Sequence, residues 1–139
     1  MVAGKMLCDS FARQELHLDT PVVRVGLHIE GVWLEDVVML NGEGFDSAVL
    51  RATNRALGLP DGEWELVEKL DLTEGQRCNG LLLRVKDPEG KVREADFQFE
   101  AGLRSKGVAM AMAFARIARD YSVKRGTNLP PEFTGEGVV

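Results

Sequence analysis

The chain has 139 residues, 45% hydrophobic and 28% charged, with a formal net charge of -5. That length suits one domain with a real core and no need of disulfides or metals, and no apolar run approaches the ~20 residues of a membrane span. The acidic balance argues against a general nucleic-acid binder, and two distant cysteines, Cys8 and Cys78, in a chain whose start lacks a signal-peptide pattern, fit a cytoplasmic protein.

Residues 1–20 read as a weakly patterned N-terminal extension, in which Leu7, Phe11 and Leu16 suggest one side of a short helix. From Val22 to Glu30 the residues Val23, Val25, Leu27 and Ile29 alternate with Arg24, Gly26, His28 and Glu30, the period of a half-buried strand. Glu30-Gly31 predicts a tight turn, and Val32 to Leu40 the antiparallel return strand. Asn41-Gly42-Glu43-Gly44 then leads into a helix, capped by Asp46, with Val49, Leu50, Ala52, Thr53, Ala56 and Leu57 on its apolar face. Gly58 and Pro60 end that helix.

Trp64, Leu66, Leu70 and Leu72 alternate with charged residues and predict a third strand; Leu81 to Lys86 predicts a fourth, with Cys78 in the loop before it. Asp87-Pro88-Glu89-Gly90 is a turn signal. Val92 to Phe99 follows as a fifth strand, with Ala95, Phe97 and Phe99 on one face. A long helix from about Ser105 to Tyr121 carries Met110, Ala111, Phe114, Ile117, Ala118 and Tyr121 as its core stripe, with Arg104, Arg116 and Arg119 as its wet rim. The tail, residues 125–139, holds Gly126, Pro130, Pro131, Gly135 and Gly137 and reads as a flexible segment. The element order defines an α+β fold of two strand-strand(-strand)-helix units over residues 21–124, with antiparallel sheet and helices packed on one face.

Catalytic patterns are scarce. His17 and His28 belong to no HxH or HExxH spacing, so no metal set is defined. Glu35 and Asp36 are adjacent on a strand and point to opposite faces. The serines lack a GxSxG context, and Gly42 and Gly44 make neither a dinucleotide fingerprint nor a P-loop. That glycine pair nevertheless opens a helix N-terminus, where free amides and the helix dipole favour an anion. Gly102, Ser105 and Gly107 open the second helix in a similar way. A glycine inside a helix start costs about 1 kcal/mol relative to alanine, which close approach by a neighbour or a ligand would justify.

Over roughly Val22 to Tyr121 the chain resembles the C-terminal regulatory (dimerisation) domain of 2-isopropylmalate synthase and its relative citramalate synthase. The resemblance rests on Gly42-Glu43-Gly44-Phe45-Asp46-Ser47-Ala48 at a helix start after a hairpin. It rests also on Glu65-Leu66-Val67 with its strand running to Gly75, and on the alanine-rich stretch Ala109 to Phe114. It implies a non-catalytic module, with no cofactor and no catalytic barrel, that forms a homodimer and binds leucine or isoleucine at the dimer interface. The implied ligand-binding residues are Gly42, Gly44, Phe45, Ala48, Gly102 and Ser105. A partner synthase is implied too, whether the chain is a free-standing or an excised module. Phe45 stands where the family has proline, Glu43 where it has asparagine, and Ser105-Lys106-Gly107 where it has an acidic residue and two isoleucines.

Three other readings remain. One is a dimerisation scaffold without ligand. Another is a double-stranded-RNA-binding-like module, whose helix, three strands and helix match the order from Asp46 onward, although only Lys106 stands near the start of the last helix. The third is a small enzyme built from scattered carboxylates.

Overall fold

The computed structural model describes residues 10–40, 42–75, 77–99 and 105–124. Two units of identical order follow one another. The first is β1 (Phe11–His17), β2 (Thr20–Ile29), β3 (Val32–Met39) and α1 (Phe45–Ala56); the second is β4 (Glu65–Glu74), β5 (Arg77–Lys86), β6 (Val92–Gln98) and α2 (Lys106–Lys124). Each unit makes its own three-stranded antiparallel sheet, ordered β1-β2-β3 and β4-β5-β6. The fold is α+β, and each helix packs on one face of its own sheet. The helices also pack on each other, and α2 reaches β1 and β2 of the first unit.

Burial follows the strand period. Val23, Val25 and Leu27 of β2 and Leu81, Leu83 and Val85 of β5 are wholly buried, so the central strand of each sheet supplies the core face. From α1 come Ala48, Val49, Leu50 and Ala52. The second helix is buried on most of its circumference, through Ala109, Met110, Ala111, Ala113, Phe114 and Ala118, as expected of a helix that touches both sheets. Trp64 closes the far end, edge-on to Phe114 at 4.9 Å and to Tyr121 at 5.2 Å.

Four expectations change. Phe11–His17 is a strand and not a helix: it pairs along its length with β2, from Phe11↔Gly26 to His17↔Thr20. The helix expectation at Leu7 and the tail from residue 125 onward lie outside the described residues. Cys78 lies within β5, its thiol 3.5 Å from the Gly80 carbonyl oxygen, and not in a loop. The first unit therefore has three strands like the second. Finally, α1 is capped by the Gly44 backbone with no side-chain cap, and Asp46 sits in the first turn.

In β4 the side-chain parity changes midway. Leu66 faces Val85 on the core side, a register shift falls between Leu66 and Glu68, and from there Lys69 and Asp71 oppose the buried Leu83 and Leu81. Leu70 and Leu72 consequently share the outer face with Glu68, opposite Leu82, Gly80 and Arg84. Leu70 is exposed there.

Candidate functional site

The two helix starts meet. Phe45 is the first residue of α1, and a Cβ built on Gly107, in the first turn of α2, would stand 3.5 Å from its Cε2 atom. The same Cβ would stand 3.1 Å from Ala12 Cβ on β1. A neighbour thus explains the glycine: no larger residue fits between β1, α1 and α2 without displacement.

Beta4 braces both starts from the side. Lys69 pairs with Asp46 in the first turn of α1, and Asp71 accepts from Lys106 Nζ at 2.8 Å at the start of α2. Two residues apart on one strand share a face, so one strand edge holds both helices. Asp71 keeps the Lys106 ammonium raised above its ordinary range through that hydrogen bond. The glycine turn is braced as well. Gly42 has φ +82, with open space where a Cβ would be, and Arg51 of α1 reaches back to Glu43 and to the Met39 carbonyl.

Of the residues implied by the resemblance, the structure places Gly42, Gly44 and Phe45 on the approach to α1. Ala48 lies one turn further in, wholly buried. Ser105 stands at the start of α2, where its hydroxyl accepts the Val108 N–H at 3.2 Å and its carbonyl the Ala109 N–H at 3.1 Å. Ser105 is therefore the cap of α2. Gly102 lies outside the described residues. Asp71 reads from sequence as a solvated strand position and Lys69 is not singled out there; their spacing of two was the signal that they face one way.

The outer faces of the sheets repeat one motif. Arg24 on β2 donates to Glu15 of β1 at 3.0 Å and to Glu35 of β3 at 3.1 Å. Arg84 on β5 donates to Glu68 of β4 at 2.8 Å and to Glu94 of β6 at 3.0 Å. Each central arginine so bridges both neighbouring strands. The hydrogen bonds from Arg13 and Arg24 hold the Glu15 carboxyl below its usual range. On the first sheet Phe11 and Trp33, 6.0 Å apart, roof over Gly26, and Glu35 also accepts from Trp33 Nε1. Asp36, on the opposite face, lies 3.7 Å from Arg55 of α1.

Among the described residues, no group of three or more His, Cys, Asp or Glu is placed to hold a metal ion, and no helix is long and apolar enough to cross a membrane. Compared with known proteins, the chain matches no family model, no curated protein and no solved structure.

Proposed function

We propose that the chain is a non-catalytic regulatory and dimerisation module that binds a small amino acid, leucine or isoleucine, where its two helix starts meet. The carrying observation is the meeting of Phe45 and Gly107 beside the Lys69–Asp46 and Lys106–Asp71 pairs. A helix N-terminus favours an anion, the first turns of the two helices lie close together, and α1 has no side-chain cap to occupy its amides. A ligand carboxylate gains there from both. Association of two copies follows from the resemblance to the synthase regulatory domains, and a two-fold interface would use the same patch on each copy.

A dimerisation scaffold without ligand is the second reading, and the favouring observation is Phe45 itself. Its ring lies against Gly107, where a ligand side chain would enter, and Asp46 and Asp71 are already paired with lysines instead of offering themselves to an ammonium.

A thermal-shift titration with leucine, isoleucine and valine, with serine as control, separates the two when size-exclusion chromatography is run alongside. Ligand at 100 times its dissociation constant adds about 2.7 kcal/mol of stability. A saturable rise on a dimer supports the regulatory reading. A dimer with no shift favours the scaffold, and a monomer with no shift ends both.

A further inference from the structure

We infer that the cleft between the β2–β3 turn and α2 is a binding site for a small monocarboxylic acid with an apolar body. This site is separate from the meeting of the helix starts and does not rest on the function proposed for it.

The cleft has a volume of about 250 Å3. Its floor is apolar: Ile29 comes from the first unit, and Phe97, Met112 and Ala115 from the second. Ile29, Phe97 and Met112 are partly buried against the core, and Ala115 is buried. Compact apolar floors with a few placed polar groups are the usual form of a small-ligand site, and this volume suits a ligand below drug size.

The polar rim fixes the ligand's charge. Arg119 Nη1 donates to Glu30 Oε1 at 2.7 Å and so ties the β2–β3 turn to α2 as one wall. Across the floor, Arg116 extends over the Phe97 ring, its Cζ 5.4 Å from the centroid; its Nη1 donates to the Asp96 carbonyl oxygen at 2.6 Å and lies 3.9 Å from the Asp96 carboxylate. Among the described residues, Arg116 Nε and Nη2 bond no acceptor. A planar guanidinium with an open edge matches the two oxygens of a carboxylate. The neighbouring Glu30 and Asp96 carboxylates repel a polyanion such as phosphate more strongly than a monoanion, and the two arginines repel a cation. An uncharged ligand leaves the Arg116 edge unmatched.

The corresponding groove along α1, about 430 Å3, lacks this chemistry. There Glu43 takes Arg51 Nη2 and Asp36 lies 3.7 Å from Arg55 Nε, so the edge that Arg116 leaves open is paired on both, and Asp61 and Glu63 add negative charge.

The test is a titration of the full chain with 4-methylpentanoate, followed by calorimetry and by the Met112 methyl resonance. Isoamyl alcohol, inorganic phosphate and leucine are the comparison ligands. The acid is expected to bind saturably and to shift the Met112 methyl. Arg116→Gln should weaken it roughly tenfold to a hundredfold, the usual worth of a charged hydrogen-bond pair. Met112→Trp, which fills the floor, should abolish binding, and Arg51→Gln in the other groove should change nothing. Arg116→Gln removes only an exposed side chain, so it keeps the test valid if Met112→Trp fails to fold. The inference is overturned by no binding, by equal binding of the alcohol or phosphate, or by affinity that survives Arg116→Gln. If leucine moves Phe45 while the acid leaves Met112 unmoved, this site fails and the proposed function stands. The reverse pattern supports this site and removes the other.

Discussion

Phe45 and Gly107 join the two halves of the molecule at their equivalent points, the first turn of each helix. A Cβ at Gly107 would stand 3.1 Å from Ala12 Cβ, a few tenths of an ångström too close. Gly107→Ala gains about 1 kcal/mol of helix propensity and loses about 1–3 kcal/mol to overpacking. Because β1 is an edge strand that can shift, the two effects should nearly cancel, within about 1 kcal/mol of the parent. Gly107→Leu cannot be absorbed in that way and should cost about 3 kcal/mol. Urea denaturation measures both. A leucine variant as stable as the parent would mean that the start of α2 does not pack against β1.

Gly26 tests the outer face of the first sheet. A Cβ there would stand 2.5 Å from Phe11 Cε2 and 2.7 Å from Trp33 Cζ2, so both rings must swing away. Gly26→Val should cost about 1–3 kcal/mol and shift tryptophan emission to the red as Trp33 becomes wetter. Trp64, held between Phe114 and Tyr121, should keep its emission. An unchanged spectrum would show that the rings do not cover Gly26.

The β1–β2 turn is made by Leu18 and Asp19, at φ 51 and 66, with Leu18 87% exposed. The left-handed region costs an ordinary residue about 1–2 kcal/mol, and asparagine is among the few that tolerate it. Leu18→Asn should therefore stabilise the chain by up to about 1 kcal/mol, read as a higher urea midpoint with unchanged slope. A lower midpoint would mean that the exposed leucine is packed against another molecule.

That turn also explains what the sequence concealed. Beta2 was legible because Val23, Val25 and Leu27 alternate with polar residues, and its far turn because Glu30-Gly31 has a glycine at φ 81. Beta1 was not, because its Ala12, Arg13, Gln14, Glu15 and Leu16 are all good helix formers. Only pairing with β2 makes them a strand, and no glycine marks the turn between them. The parity change in β4 was hidden for a different reason. Leu66, Leu70 and Leu72 keep an even spacing in sequence, and only the register shift after Leu66 sends the last two outward. At the candidate site, the glycines showed where the chain bends. They did not show that Lys69 and Asp71 reach both helices, since long-range ion pairs leave no local pattern.

Asp87 is a buried charge whose loss should be visible in acid. Its carboxylate accepts from Glu89 N, from Lys91 N and, at 2.7 Å, from Arg93 Nε. Burial pushes its pKa up, but the Arg93 hydrogen bond and the two amides together outweigh burial and hold it below the ordinary 3.8. A depressed folded-state pKa means that the unfolded chain takes up the proton first as pH falls. The stability from this pair is complete above about pH 4 and is lost as pH drops through the lower folded value. Asp87→Asn should cost about 3 kcal/mol at neutral pH, because it leaves Arg93 without its charge partner, and should flatten the acid limb of the stability curve below about pH 4. A variant as acid-sensitive as the parent would place the titration on other carboxylates.

Thr53 points the other way, to a substitution that should help. Its Oγ1 atom is buried on the inner side of α1 and, among the described residues, has no hydrogen-bond partner. A buried hydroxyl without a partner costs about 1–3 kcal/mol of lost hydration. Valine has nearly the same shape and a similar helix propensity, so Thr53→Val removes that cost and keeps the packing. The expected gain is about 1 kcal/mol. Thr53→Ser keeps the hydroxyl and removes a buried methyl, and should instead lose about 1 kcal/mol. Measured together by urea denaturation, the pair separates hydroxyl from volume. If valine destabilises as much as serine, the hydroxyl has found a partner in solution, and a bound water in the core between α1 and the first sheet becomes the explanation.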